Sequence, residues 1–564
     1  MLQVVGKTTI ALHRIAYLIY NYEKEFRPDE FMIIAPNKFF LNYISNILPD
    51  LGVNDVKQYT FEDFAYDVIG KRLKISDNNE KLVMIVNNEI AKEYQGKVDV
   101  ILQESKFKSS IKFKMIIDDY LRFVEANYIP KEDFCYNGKI IMKYEDINEL
   151  FVNTYNMYNY SSRINEIEKN LVYEFRKKSE ELIDDLKKKR SLAIEGLAGA
   201  ERVSAYERFD KEIKLIEKDY KKIIKDYLKK IPNKSCLDYY CDFLTHLGTE
   251  LFCFKNDTFG DGVKCFKNET KQDRPGMFQQ NVSSEVIEYL KQSTLANLSK
   301  NEISFEDLAP IMYLQYKING IKDKARVKHV VIDEAQDYGE FQFDVLKTIL
   351  NSNSMTILGD IAQGVHYYRG IENWQRFIDV EFSNVNTTYT TLRKTYRTTK
   401  EIMDVANSVI SKLPDYEREF IVLGEPVIDR KDSICIERKE NLKQMIEAIN
   451  ERINEYLSDN YKSIAIIGKD MSECKELHKN LSKLRDDVKL IQGKDSEYNA
   501  GISIVPSYLA KGLEFDCVII ANANNEKYTN NSLDIKLLYV TITRAMSKLD
   551  VFYVGEITEL LKRF

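Results

Sequence analysis

The sequence predicts an α/β chain whose parallel sheets are interrupted by a long, mainly helical stretch. Two observations predict it. Short apolar, β-branched runs alternate with helical stretches near both ends of the 564 residues, each run bounded by turn residues. Such runs are expected of strands buried on both faces of a parallel sheet. Between roughly residues 105 and 305 that signal fades and long charged helices replace it.

Taken in order, Thr9 to Tyr20 reads as helix, Phe31 to Ala35 as strand, Phe39 to Leu48 as helix and Val56 to Phe61 as strand. After the helical stretch come strands at Val327 to Ile332 and Met355 to Leu358. A third set follows at Ser463 to Ile467, Gly501 to Val505, Cys517 to Ala521 and Leu549 to Val554. Within the middle stretch Ile213, Ile216, Tyr220, Ile223 and Tyr227 recur at helical steps of three and four, and Gly196-Leu-Ala-Gly199 interrupts the pattern like the bend of a hairpin. Two readings fit: a solvated pair of long helices packed on each other, or a lever that touches nucleic acid or a partner.

Length and composition bound the function. A chain of 564 residues exceeds one core, so roughly two to four domains are expected. With 44% hydrophobic and 30% charged residues, and only 22 Gly and 10 Pro, it is neither collagen-like nor low-complexity. The 82 basic and 88 acidic residues sum to −6, which argues against a histone-like or strand-coating role while leaving room for a local basic groove. Eight Cys without regular spacing form no disulfide framework. No apolar window reaches the roughly 18 to 20 residues of a membrane span, and no signal peptide opens the chain, so a cytoplasmic protein is expected.

Several strings carry chemistry. Gly6-Lys7-Thr8-Thr9 stands between an apolar run and a helix, a placement suited to a phosphate-binding loop. There backbone N–H groups cradle an anion, the lysine reaches the β/γ-phosphates and a hydroxyl ligates Mg2+. The complete pattern has glycine where this chain has Met1, so alone the string also reads as an ordinary strand–turn–helix. Val330-Val-Ile-Asp333-Glu334-Ala-Gln-Asp337 ends an apolar strand in two adjacent carboxylates, one to hold Mg2+ and one to activate water. A helix cap explains one such carboxylate, not the ordered pair. Leu358-Gly-Asp360-Ile-Ala-Gln363 offers an amide that senses a γ-phosphate. Arg397 and Arg544 flank sheet–helix transitions, where a guanidinium stabilises transferring phosphoryl charge or makes an ordinary surface pair. Glu514, in Lys511-Gly-Leu-Glu514-Phe-Asp516, accepts hydrogen bonds from a ribose hydroxyl or a backbone amide.

In chain order, GKTT, TFEDFA around Thr60, VIDEAQD, GDIAQ, LRKTYRTT, KGLEFD and LLYVTITRA resemble the helicase motifs of superfamily 1, in the UvrD/Rep branch. GKTTIALHRIAYLIY, APNKFFLNYISNILPDLG and SYLAKGLEFD are closer still to the HelD (helicase IV-like) family. The resemblance implies two RecA-like domains with ATP and Mg2+ between them, driving 3′-to-5′ movement along nucleic acid. Residues 1–104 and 306–385 would form the first, 105–305 its helical 1B-type insertion, and 386–564 the second. It implies that Gly6, Lys7, Thr8 and Thr9 hold phosphate, with Thr8 and Asp333 on the metal and Glu334 on the attacking water. Gln363 would sense the γ-phosphate, Tyr396 stack on adenine, Glu514 meet the ribose, and Arg397 and Arg544 act as arginine fingers. Pro36, Asn37 and Thr60, with the aromatics His366, Tyr367 and Tyr368, would face single-stranded nucleic acid.

That likeness implies a motor that remodels or recycles RNA polymerase, with the polymerase core as partner and no membrane role. The alternatives are a DNA helicase acting on single-stranded DNA, and a binding scaffold whose phosphate loop does not hold ATP. The sequence departs from the HelD pattern in its first residues. About three residues of the glycine nest are missing, and with them the upstream glutamine motif and N-terminal arm, so the chain reads as a late start or fragment. The stretch between Thr399 and Gly493 is too short for the 2B subdomain of UvrD-type helicases. Cys236, Cys241, Cys253 and Cys265, near His246, lack a tight CxxC pair and read as thiols rather than a metal site.

Overall fold

The computed structural model describes residues 7–22, 25–70, 73–76, 79–87, 96–249, 282–321, 327–352, 354–431, 433–492 and 501–563. Two compact units result: Met1–Phe113 with Lys255–Ala309 and Lys324–Phe564, and Lys114–Phe254 with Pro310–Asp323.

Among the described residues the first unit holds two large parallel sheets and two short parallel pairs. Strands β1 (Phe31–Ala35), β2 (Lys57–Thr60), β3 (His329–Ile332) and β4 (Met355–Ile357) run in the order β2-β1-β3-β4. All three pairings are parallel, and Phe31 stands opposite His329 although the whole helical stretch separates them in sequence. Every residue of β1 and β3 is buried, the outcome expected of FMIIA and HVVI covered on both faces. The Asn37 and Thr60 side chains cap the helices Lys38–Asp50 and Phe61–Ile69, accepting from Phe40 N and Asp63 N.

The second lobe begins with the short parallel pair β5 (Lys394–Thr399) and β6 (Glu425–Ile428). Its main sheet uses β7 (Ile434–Lys439), β8 (Ile464–Gly468), β9 (Val488–Leu490), β10 (Ile502–Pro506), β11 (Phe515–Ile520) and β12 (Ala545–Val554), in the order β7-β12-β11-β8-β10-β9, all parallel. Alternate residues of β8 go to opposite cores. Ala465 and Ile467 meet the helices Lys400–Ile410 and Ser532–Ile542, whereas Ile464 and Ile466 meet Leu442–Ser458 and Met471–Leu481. That two-sided demand explains why β8 reads as an unbroken apolar run. A further apolar cluster joins the lobes: Leu82, Val86, Val365 and Tyr368 pack with Tyr508, Leu533, Leu537 and Val540.

The second unit is mainly helical. Helices Tyr160–Ala193 and Gly199–Leu228 form the expected hairpin, turning through Gly196 and Gly199 at φ of +89° and +60°. Of the expected stripe Ile216 and Tyr227 are buried and Ile213, Tyr220 and Ile223 partly so, while Ile224, one position from Ile223, is buried instead. Arg163 ties the hairpin base, donating to the carbonyls of Tyr158, Asn156 and Phe151 (2.8, 2.8 and 2.9 Å) and pairing with Glu125.

This unit is narrower than the 105–305 span read from the sequence, and a buried charge network gives the reason. Helix Ser284–Ser299 packs on helix Lys97–Lys108 within the first unit. Lys108 Nζ lies 2.7 Å from each of Glu104, Asp307 and the Thr294 hydroxyl, with all four residues buried. Lys81 and Arg369 extend the network through Glu104 and Glu306. Removing one partner of a buried ion pair strands the other charge. Lys108→Met should therefore destabilise the first unit by about 3–5 kcal/mol. Urea denaturation of the variant beside the wild type measures this, and an unchanged midpoint would contradict it.

Candidate functional site

The site gathers at the C-terminal ends of β3 and β4, where ligands bind in open parallel sheets. Asp333 N donates to Ile34 O (3.1 Å), continuing the ladder one residue beyond β3. Glu334 then adopts the left-handed conformation (φ 49°, ψ 39°), and its N–H donates to Asp333 Oδ1 (2.8 Å). A non-glycine residue in that region is strained, a feature that clusters at functional sites. The loop after β4 is tied alongside, Ala335 N donating to Leu358 O (2.8 Å).

A polar chain leads from there across the lobes. Lys7, opening helix Lys7–Asn21, places Nζ 3.5 Å from Asp360 Oδ2. The same oxygen accepts from Gln363 Nε2 (2.8 Å), and Gln363 Oε1 accepts from Arg544 Nη2 (2.9 Å). Arg544 stands between helix Ser532–Ile542 and β12. Its remaining N–H groups donate to the Val540 and Leu513 carbonyls (3.0 and 3.2 Å) and the Thr543 hydroxyl (3.1 Å). Arg397, on β5, pairs with Glu514, while the neighbouring Tyr396 ring stays 46% exposed. Lys511 Nζ reaches 2.7 Å from Asp337 Oδ2 and 3.3 Å from Glu334 Oε2. Gly512, at φ +81°, allows the turn between Lys511 and Glu514.

These neighbours set the charges. Burial pushes the Glu334 carboxyl up, but Lys511, then Lys7, the Gln336 amide and Arg544 outweigh it and hold the group well below the usual carboxylate range. Burial raises Asp337 despite Lys511. Burial and then Arg397 lower the Arg544 guanidinium to about 10, opposed by Glu334 and Glu514, so it remains charged at neutral pH.

The structure thus brings Lys7, Asp333, Glu334, Gln363, Arg397, Glu514 and Arg544 to one cleft, with Thr9 in the same first helical turn as Lys7. Gly6 and the side chain of Thr8 lie outside the described residues. Pro36 and Asn37 directly follow β1, and Thr60 is the last residue of β2. The Asn37 oxygen and the buried Thr60 hydroxyl already serve as helix caps.

The placement of His366 and Tyr368 on a nucleic-acid face is corrected. Tyr368 is 2% exposed within the apolar cluster between the lobes, and its hydroxyl lies 3.0 Å from His366 Nδ1. Burial, then Arg369 and Lys511, keep the buried His366 ring neutral. Tyr367 packs against the same cluster from its edge. Both rings are enclosed because the turn after Gly364 folds inward against the second lobe, leaving no free face for a base. Cys236 and Cys241 share helix Cys236–His246, while Cys253 and Cys265 lie outside the described residues. Among the described residues no group of three or more His, Cys, Asp or Glu is placed to hold a metal, and no helix is long and apolar enough to cross a membrane.

Sequence reading missed Lys511 and Gln336. Each stood inside a quoted motif string, and the available signal was a cation or amide fixed beside a glycine turn or a carboxylate pair.

The pairing has a pH consequence. Glu334 has a depressed folded value, so its contribution to stability is complete above the ordinary carboxylate range and is lost as pH falls through that value. Lys511→Met removes the leading opposing cation, so burial raises Glu334 and the loss moves to higher pH. Melting temperatures of both proteins between roughly pH 3 and 8 read the shift; superimposable profiles would contradict it.

Two stretches of the chain match known helicase domains. Residues 5–379 match the UvrD/REP helicase N-terminal domain, and residues 501–551 the UvrD-like helicase C-terminal domain. A probable DNA helicase II homolog of Mycoplasma capricolum is 31% identical over 37% of this chain and 29% of its own length. The ATP-dependent DNA helicase Rep of Buchnera aphidicola is 25% identical over 36% of this chain and 32% of its own. A solved C-terminal domain of a possible DNA helicase from Lactobacillus plantarum WCFS1 is 32% identical over 30% of this chain and 93% of that one, with a TM-score of 0.25. The alignments span less than half the length of the curated relatives. Since the N-terminal family domain alone covers more than half of its residues, this chain belongs to the UvrD/Rep helicase family.

Proposed function

We propose that this chain is an ATP-driven motor that moves 3′ to 5′ along single-stranded DNA, hydrolysing ATP between its two parallel-sheet lobes. One observation carries the reading: a continuous polar chain runs from Lys7 through Asp360 and Gln363 to Arg544, joining both lobes beside Glu334. Groups from both lobes at one phosphoryl group make closure and hydrolysis depend on each other.

The donor set suits a nucleoside triphosphate with a divalent cation. Lys7 would hold phosphate, and Asp333 with the Thr8 hydroxyl would hold Mg2+. The bound Mg2+–ATP supplies the scissile anhydride and neutralises part of its charge. Glu334, kept ionised, is poised to take a proton from water. Arg397 and Arg544 oppose the charge on the transferred group, and Gln363 registers its presence. The exposed Tyr396 ring offers a face to adenine, and Glu514 an acceptor for the ribose. Pro36, Asn37 and Thr60 are assigned to the nucleic-acid track, with DNA as substrate because the relatives are DNA helicases.

A HelD-type motor acting on RNA polymerase is the second reading. It is favoured by the stretch from Lys400 to Gln492, where the described residues form strands and helices of the second lobe and no separate 2B subdomain. ATPase assays separate the readings. Stimulation by single-stranded DNA, with affinity falling steeply as salt rises, supports the DNA motor. Tight binding of polymerase core without DNA stimulation supports the other. Failure to bind ATP at all would sink both and leave a scaffold.

Two substitutions test the roles. Glu334→Gln should reduce hydrolysis by about 10²–10⁴-fold while nucleotide binding persists, and parallel loss of both would remove its assignment as base. Lys7→Ala should weaken nucleotide binding in an equilibrium titration, and unchanged affinity would exclude it from the phosphate site.

A further inference from the structure

We infer that Gln336 is a positioning residue that fastens the water-activating carboxylate to the phosphate-sensing turn, so that the two loops move as one piece. The inference rests on the reading of the cleft given above. Gln336 is 1% exposed and uses both ends of its amide. Nε2 donates to Glu334 Oε2 at 2.5 Å, and Oε1 accepts from Asp360 N at 2.8 Å. The carboxylate only accepts and the backbone N–H only donates, so the amide satisfies both in one orientation alone. Its carbonyl accepts from Ile371 N (3.1 Å), which anchors the residue from behind.

The space around Gln336 is closed by three glycines. A Cβ at Gly370 would stand 2.0 Å from the Gln336 carbonyl oxygen, and one at Gly359 would stand 2.8 Å from Oε1 and 2.4 Å from Trp374. One at Gly364 would press on Ile361 O at 3.1 Å, with Gln336 Cγ at 3.6 Å. None of the three has the left-handed φ that favours glycine, so close approach is what they provide here. The amide thus has little freedom to swing away from Glu334. Asp360, held at the other end, is the residue that meets Lys7 and Gln363, and Gln363 meets Arg544. A displacement of Gln363 on loss of phosphate therefore reaches the base through one fixed side chain.

Steady-state ATPase of the full chain with single-stranded DNA tests this, using wild type, Gln336→Met and Gln336→Glu. Gln336→Met should leave KM within about twofold and lower kcat by about 10²-fold. Gln336→Glu keeps an acceptor for Asp360 N but loses the donor to Glu334, and should lower kcat to a similar extent with KM again little changed. A folded Gln336→Met with unchanged kcat overturns the inference. Should that variant not fold, a Gln336→Glu with wild-type kcat overturns it instead. Should wild type not hydrolyse ATP, the proposed function fails separately. The inference is then decided by hydrogen exchange of the Asp360 amide, whose protection must fall in Gln336→Met and overturns the inference by staying unchanged.

Discussion

The Arg544 guanidinium is the point on which the cleft depends. It is buried, and it reaches across from the second lobe to the Gln363 amide of the first. A guanidinium in that position costs several kcal/mol to desolvate unless its N–H groups find acceptors. Two main-chain carbonyls, one hydroxyl and one amide oxygen supply them. Those acceptors fix the side chain rigidly, so the charge is preorganised rather than gathered when a ligand arrives. Removing any one acceptor leaves a donor of a buried cation unsatisfied, which ties the packing of helix Ser532–Ile542 directly to the chemistry of the cleft.

Charge is distributed around that point with little surplus. Lys511 answers Glu334 and Asp337, Arg397 answers Glu514, and Lys7 answers Asp360. Lys7, Arg397 and Lys511 are thus each already partnered by a protein carboxylate. The buried network around Lys108 plays a structural role. With Lys108 buried and each of these charges answered inside the first unit, it favours a single arrangement of the helices behind the first sheet.

Legibility from sequence divided along physical lines. The β8 run Ile464–Gly468 was readable because a strand covered on both faces needs apolar side chains on both, whatever its partners are. The position of Asp333 and Glu334 just past β3 was readable because the apolar run HVVI ends where the acidic residues begin. The hairpin bend at Gly196 and Gly199 was readable from local conformation alone. His366 and Tyr368 were misplaced because an aromatic side chain suits a base and a core equally well, and only the turn after Gly364 decides between them. Lys511 and Gln336 gave no signal by type, since a lysine or a glutamine in a loop is ordinarily a solvated residue.

By itself the sequence determined which segments become buried parallel strands, where the helical hairpin bends, and which residue types stand at strand ends; those follow from periodicity and side-chain chemistry within a few neighbouring positions. Tertiary structure alone decided that Arg544 faces Gln363, that Lys511 answers Glu334, and that the helix Ser284–Ser299 belongs with the first unit rather than the helical one. The reason is the strength of long-range pairing in a dry interior. A buried charge is stable only where a specific partner reaches it, and those partners lie up to hundreds of residues away in the chain.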